Sequence, residues 1–167
     1  MNDKEQCFAL YRSAFGQTDG FDEMLFDGFF GCCRYIKQGD SVAAMMFLLP
    51  CVLVVGGKKY DCRYLYAAAT DERLRGKGYM TRLIEACGSD LLLLKPATDA
   101  LIGFYEKFGF SAFRAVHSSD GDKRVEVGPD FFKLAEGGIT DGTEYTAMIK
   151  SPEPLVLDGL AFAYTME

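Results

Sequence analysis

The sequence predicts an α+β domain in which a mixed, mainly antiparallel central sheet is flanked by helices. Three observations predict it. Two stretches with helical apolar spacing open the chain. Strand-like runs joined by glycine turns follow. The middle then reads strand, basic glycine loop, helix, apolar strand, helix, strand, with the apolar period changing at each boundary.

In "EQCFALYRSAFG", Phe8, Tyr11 and Phe15 recur at helical spacing, and Gly16 can close the helix. "FDEMLFDGFFG" predicts a second short helix with Leu25, Phe26, Phe29 and Phe30 inward. "CCRYIKQGDSVAAMMFLLP" reads as two strands joined at Gly39-Asp40, and "CVLVVGGKKYDCRYLYAAAT" as two more around the hairpin signal Gly56-Gly57. In "YMTRLIEACG", Met80, Leu83, Ile84 and Cys87 form one apolar stripe ending at Gly88. "LLLLK" is short and fully apolar, as a central strand requires, and Pro96 ends it. "TDALIGFYEKFG" predicts a helix capped by Thr98 or Asp99, with Leu101, Phe104, Tyr105 and Phe108 inward and Gly109 as its stop. "FSAFRAVHS" follows as a strand. Further on, "KRVEV", "EYTAMIK" and "LVLDGLAFAYTME" read as strands and "PDFFKLAEG" as a short helix. No repeat or linker is visible, so one domain over residues 1–167 is expected. Its motif-bearing core spans about 33–117, and 118–167 complete the sheet.

Composition narrows the function. The 167 residues carry a formal net charge of -6, which argues against a nucleic-acid partner. No apolar run reaches the roughly 20 residues of a membrane span; "SVAAMMFLLPCVLVVGG" is broken by Pro50. "MNDKEQC" does not resemble a secretory signal, so no membrane and a cytoplasmic location are expected. Cys7, Cys32, Cys33, Cys51, Cys62 and Cys87 include no CxxC, and most sit in apolar runs. They read as small buried hydrophobes in a reducing compartment. No metal site is expected, because the ligand spacings are missing and His117 is the only histidine. His117 lies in an alternating run and reads as a packing or surface residue rather than a general base.

Against this acidic background "RLRGKGYMTRL" concentrates Arg73, Arg75, Lys77 and Arg82 with no acid among them. A strand running into a glycine loop and a helix is a phosphate-binding geometry. The first helical N–H groups lack intrahelical partners, and glycines admit a pyrophosphate close to the backbone. The spacing fails a Walker loop, since residues 70–75 contain no glycine. It also fails GxGxxG, since Thr81 stands at the third glycine. What remains is R-x-x-G-x-G, at Arg73, Gly76 and Gly78. Taken alone, it weighs equally with a solvated cationic turn.

The context tips that balance. The segment resembles the acetyl-CoA pyrophosphate loop of the GNAT superfamily of N-acetyltransferases, and "TDALIGFYEKFGF" is similar to that family's "N-x-x-A-x-x-F-Y-E-K-x-G-F" region. The two lie in the family's order, separated by a helix and one apolar strand. These motifs cover Tyr66 to Phe110, and the element order extends the resemblance from the N-terminus to about residue 117. The resemblance implies the GNAT fold and acetyl-CoA as cosubstrate. It implies pairing of the pantetheine arm with the backbone of Ala68, Ala69 and Thr70, although a tightly packed strand explains the alanines equally well. It implies that backbone N–H groups of Arg75, Gly76, Lys77, Gly78, Tyr79 and Met80 meet the pyrophosphate, with a hydroxyl from Thr81. Thr98 stands where the family often has asparagine, whose paired donor and acceptor a threonine lacks. Phe104 counts among the cofactor contacts. Tyr105 matches the family's general acid. A phenol near pKa 10 stays protonated at neutral pH and can stabilise a leaving thiolate whose parent thiol is near 8.5. From spacing alone, Tyr105 reads as a core aromatic.

The resemblance further implies direct transfer to an amine of a small molecule or peptide. No covalent nucleophile stands out, since Cys62 and Cys87 lie in apolar contexts. The aromatic N-terminal helices are expected to wall the acceptor site, and the acidic balance favours a cationic acceptor. The base stays open among Glu72, Asp61 and Glu167, and the choice between monomer and homodimer is also open. Two other readings compete: a non-catalytic acyl-CoA-binding module, and a nucleotide-phosphate-transfer enzyme, which the failed P-loop spacing weakens.

Overall fold

Asn2 starts the first helix, α1 (Asp3–Phe15), through a reciprocal cap. Its side chain accepts from the Glu5 N–H at 2.8 Å, and the Glu5 carboxylate accepts from the Asn2 N–H at 2.9 Å. Gly16, at φ 80, ends the helix by donating to the Arg12 carbonyl. α2 (Phe21–Phe29) follows, and Leu25 and Phe26 are buried as expected. Phe26 is the hub of an aromatic cluster, with ring centroids 5.0 Å from Phe8, 5.7 Å from Tyr11 and 5.2 Å from Phe47. Phe15, expected inward, is 46% exposed at the rim of this cluster, its ring centroid 5.1 Å from that of Tyr11.

One ion pair ties the two helices. Arg12 Nε donates to Asp22 Oδ2 at 2.8 Å, and the guanidinium also lies 4.2 Å over the Phe8 ring. Burial pushes the Asp22 carboxyl up, but the bonds from Arg12 and the Glu23 N–H outweigh it and hold it below the usual carboxylate range. Arg12→Ala is expected to strand a carboxylate that is 1% exposed. The expected loss is about 2 kcal/mol, below the roughly 3–5 of fully buried pairs because Arg12 is itself partly solvated. Denaturant unfolding measures it, and a loss under about 0.5 kcal/mol would refute the pair's role.

The strands come next: β1 (Cys33–Gln38), β2 (Ser41–Val55) and β3 (Lys58–Thr70). The turn at Gly39-Asp40 and the hairpin at Gly56-Gly57 stand where the sequence places them. Gly56 and Gly57 both have positive φ, 57 and 81, as a two-residue hairpin turn demands. Three strands replace the four expected, because β2 runs straight through Pro50. Along β2, the ladder with β1 ends at Phe47, and the ladder with β6 (Lys123–Val127) begins at Cys51. Pro50 falls in the gap between these two ladders, and its side chain is exposed.

After β3, α3 (Tyr79–Glu85) buries Leu83 and Ile84. It is shorter than expected. Its cap residue is Ala86, so Cys87 and Gly88 lie beyond it. The rest comprises β4 (Leu92–Leu94), α4 (Ala100–Glu106), β5 (Ser111–Val116), then β6, α5 (Pro129–Leu134), β7 (Glu144–Lys150) and β8 (Leu160–Ala161). The eight strands follow the hydrogen-bonded order β1-β2-β3-β4-β7-β5-β8-β6, with β6 also pairing β2. Pairs β1–β2, β2–β6, β4–β7 and β5–β7 are antiparallel; β3–β4, β5–β8 and β6–β8 are parallel. The sheet is mixed, as the sequence predicts. The expected terminal strand shrinks to Leu160–Ala161. Beyond it the backbone is held singly: Tyr145 Oη donates to the Phe162 carbonyl at 2.6 Å, and the Ile139 N–H donates to the Ala163 carbonyl at 2.8 Å.

The structure is a computed structural model and describes residues 1–166. Contacts group the chain into two compact units, Met1–Leu49 with Leu65–Gly88, and Pro50–Tyr64 with Ser89–Glu167. Among the described residues no helix is long and apolar enough to cross a membrane.

Candidate functional site

In the first unit, the end of β3 leads into the basic loop. The β3–β4 ladder consists of Arg63↔Leu92 and Tyr64↔Leu93, so β3 runs on from Leu65 to Thr70 without that partner. Within this stretch Ala67 adopts φ 57, a left-handed conformation rare for a residue with a side chain and most unusual inside a strand. Strain of this kind concentrates at functional sites. Ala68 and Thr70 are half-buried, and Ala69 is buried.

The loop is anchored at Asp71. Its N–H donates to the Ala43 carbonyl at 2.8 Å, and its carbonyl accepts from the Leu74 N–H at 2.8 Å. Its carboxylate accepts from the Arg73 backbone N–H at 2.9 Å and from the Arg73 guanidinium at 3.0 and 3.2 Å. The Arg73 bonds hold the Asp71 carboxyl below the usual carboxylate range. Asp71 is therefore the acid that engages Arg73 of the loop.

Beyond this anchor the loop opens. Among the described residues, no hydrogen bond leaves the backbone N–H groups of residues 75–81; the next donor is Arg82, to the Gly78 carbonyl at 3.0 Å. Gly76 and Gly78 take φ 76 and 82, and a Cβ at either would meet nothing within 4 Å. Arg75 and Lys77 are exposed, and no ion pair of either is found among the described residues. Arg82 lies over the Tyr79 ring at 5.8 Å. Met80 and Thr81 are half-buried on the first turn of α3. The run thus presents seven consecutive unused amides beside two exposed cations, an arrangement suited to a multiply charged anion. Thr70, Asp71, Arg75, Ala9 and Ser13 border a groove of about 460 Å³. An aromatic face from α1 and α2 also reaches β3, where Phe21 meets Tyr66 edge-on at 6.2 Å.

In the second unit, α4 carries the other motif. Its N-cap is Asp99, with no side-chain cap bond; the Thr98 contribution is a backbone one, its carbonyl accepting from the Leu101 N–H at 3.1 Å. The expected side-chain cap is absent here. Phe104 is 36% exposed, whereas Tyr105 is buried. The Tyr105 ring sits edge-on to Phe104 and Phe110, at 5.2 and 5.6 Å. Its carbonyl accepts from the Phe108 and Phe110 N–H groups, which closes the turn through Gly109. Burial raises the phenol's pKa, so it stays protonated at neutral pH. Among the described residues its hydroxyl makes no hydrogen bond. Asp61 and Glu72 are both exposed, and Glu167 lies outside the described residues.

Ala67 carried no signal in the sequence, because alanine is a poor left-handed residue and "YAAA" reads as plain strand. Asp71 could have been read as an Asx turn, since its carboxylate bonds the backbone two residues on.

The family described as "Acetyltransferase (GNAT) domain" matches residues 1–113. Among solved structures, the GNAT family N-acetyltransferase YhbS from Escherichia coli, in complex with CoA, is 17% identical, with a TM-score of 0.59 over 96% of this chain and 84% of that one. A protein from Corynebacterium glutamicum described as histone acetyltransferase HPA2 and related acetyltransferase is 16% identical, with a TM-score of 0.57 over 92% and 94%. A probable N-acyltransferase from Enterococcus faecalis is 16% identical, with a TM-score of 0.56 over 67% of this chain; the match spans 32% of that protein's length. At these identities the likeness is one of fold. Among curated proteins none matches the sequence.

Proposed function

The chain belongs to the GNAT acetyltransferase family, and from that premise we propose that it moves an acetyl group from acetyl-CoA to an amine by direct transfer in a ternary complex. The observation that carries this reading is the run of unused amides over residues 75–81, with Gly76 and Gly78 in left-handed conformations. These amides, with Arg75 and Lys77, hold the diphosphate of CoA, and the Thr81 hydroxyl adds a donor. The stretch of β3 at Ala68, Ala69 and Thr70, which lies beyond the ladder with β4, offers backbone groups to the amides of the pantetheine arm. Thr98 and Phe104 belong to the same set of cofactor contacts. The CoA bound to the Escherichia coli relative supports this choice of ligand.

In the reaction the amine nitrogen attacks the thioester carbon, the C–S bond breaks, and the nitrogen gives up a proton. Tyr105 donates its hydroxyl proton to the departing sulfur. A phenol kept neutral by burial is suited to that step, because the developing thiolate is a strong acceptor. The acceptor is an amine of a small molecule or peptide.

Thermal denaturation with CoA thioesters, followed by release of free CoA against a panel of amines, tests the proposal. Acetyl-CoA at 100 times its dissociation constant is expected to stabilise the fold by about 2.7 kcal/mol. Stabilisation by ATP but not by acetyl-CoA would contradict the ligand. Binding without CoA release against every amine would contradict the transfer.

A further inference from the structure

The groove that Thr70 borders lies wholly within the first unit. One wall is α1, which contributes Ala9, Leu10 and Ser13, and the other is the loop from Asp71 to Arg75. Leu10 and buried Val42 give it an apolar lining.

Its charges differ in how they are engaged. Asp71 and Arg73 hold each other at two points, 3.0 and 3.2 Å, and their charges cancel. Glu72 and Arg75 also line the groove. Both are exposed, and among the described residues neither has an ion pair or a side-chain hydrogen bond. When the diphosphate of CoA takes Arg75, the one uncompensated charge left in the groove is the Glu72 carboxylate. An apolar lining with a single carboxylate at its rim suits an alkyl ammonium ion.

The groove also meets the strand that receives the cosubstrate. Toward the end of β3, Tyr66, Ala68 and Thr70 are half-buried and alternate with buried Leu65, Ala67 and Ala69. Tyr66 is hydrogen-bonded to Tyr11 of α1 and meets Phe21 of α2 edge-on at 6.2 Å. Thr70 faces α1 across the groove. From Tyr66 to Thr70, then, this face of β3 looks toward the two N-terminal helices. A pantetheine arm laid back from the loop along Thr70, Ala69 and Ala68 delivers its acetyl group near Ala67. Thr70 to Ala67 is three steps along a strand, about 10 Å at roughly 3.3 Å per residue.

We propose that this groove selects the acceptor, and that the acceptor is a long-chain alkyl amine carrying a second ammonium group. This deepens the acetyl-transfer reading above and rests on it. The second ammonium pairs with Glu72, the chain lies over Leu10 and Val42, and the reacting nitrogen reaches about 10 Å along β3 toward the thioester. Glu72 holds a nitrogen that stays charged and takes no proton from the one that reacts; it is a specificity residue. A carboxylate in place of the second ammonium meets Glu72 as a like charge and is disfavoured. Because CoA draws Arg75 away from Glu72, CoA and the diamine favour each other's binding.

Three amines of one chain length test the proposal: diaminooctane, octylamine and aminooctanoate. With acetyl-CoA saturating, kcat/KM for the diamine is expected to exceed that for octylamine by about fivefold, the scale of an exposed ion pair, with aminooctanoate lower still. The difference should lie in KM. Glu72→Gln is expected to raise KM for the diamine about fivefold and to erase the order among the three amines. Calorimetric titration of the CoA-saturated chain with diaminooctane reads the same site without turnover, and Glu72→Gln should weaken that binding by the same factor. A wild type that uses octylamine as well as the diamine overturns the groove's role, as does a Glu72→Gln chain that keeps the preference. A kcat lost equally for all three amines in Glu72→Gln makes this carboxylate the base and overturns the proposal too. Diamine binding that depends on Glu72, without release of CoA from acetyl-CoA with any amine, overturns the transfer reading and leaves the groove's ligand standing.

Discussion

Replacing Tyr105 by phenylalanine is expected to lower the turnover of acetyl transfer by about 100-fold, within the range general acids contribute, while acetyl-CoA affinity stays within about twofold of wild type. The substitution removes one oxygen and leaves the ring's contacts with Phe104 and Phe110 intact. Among the described residues nothing bonds to that oxygen, so its loss orphans no partner and the melting temperature should hold. The loss then falls on the step in which charge grows on sulfur. Without the phenol the thiolate leaves with only solvent or backbone to stabilise it. Steady-state kinetics with a fixed amine, alongside calorimetric titration of acetyl-CoA, separate the two effects. Unchanged turnover would remove Tyr105 from the mechanism.

Gly78→Val is expected to act on the opposite quantity. Gly78 caps α3 at φ 82, a conformation that costs a residue with a Cβ about 1–2 kcal/mol, and a β-branched one more. The space around it is open, so no clash forces the fold apart. The exposed loop relieves the strain by rearranging, and the amides of residues 75–81 lose their common aim. Acetyl-CoA affinity should fall by about tenfold or more, each 1.4 kcal/mol counting as a factor of ten. The melting temperature of the unliganded chain should move little. A variant that unfolds outright, or one that binds acetyl-CoA as wild type does, would contradict this account of the loop.

Much of this was legible in the residues. Helical spacing found α1, α2 and α4, because a helix on a sheet must bury one stripe and the stripe is written every three or four residues. Gly56-Gly57 announced its hairpin because few other dipeptides take positive φ twice. The basic loop stood out because four cations cluster in an acidic chain at the mouth of a predicted helix, and the second motif downstream tipped the balance from a solvated turn to an anion site.

What stayed hidden depended on partners distant in sequence. Pro50 looks like a strand breaker until β1 and β6 are seen to share the same β2 in succession. The strand at residues 155–167 was overread, because the apolar run past Ala161 is buried by single bonds from Tyr145 and Ile139 rather than by a ladder. His117 packs against Tyr145, within its sequence reading as a packing or surface residue, but its hydroxyl partners Thr143 and Thr165 are distant in sequence and were not legible. Ala67 shows the same limit, its strained φ being a property of the assembled strand.

The most direct test is amide hydrogen exchange across residues 75–81 with and without acetyl-CoA. Unused amides on an exposed loop should exchange fast in the unliganded chain and slow together when the diphosphate takes them as donors. If acetyl-CoA binds tightly while these seven amides exchange at their unliganded rates, the diphosphate is held elsewhere and the account fails at its root.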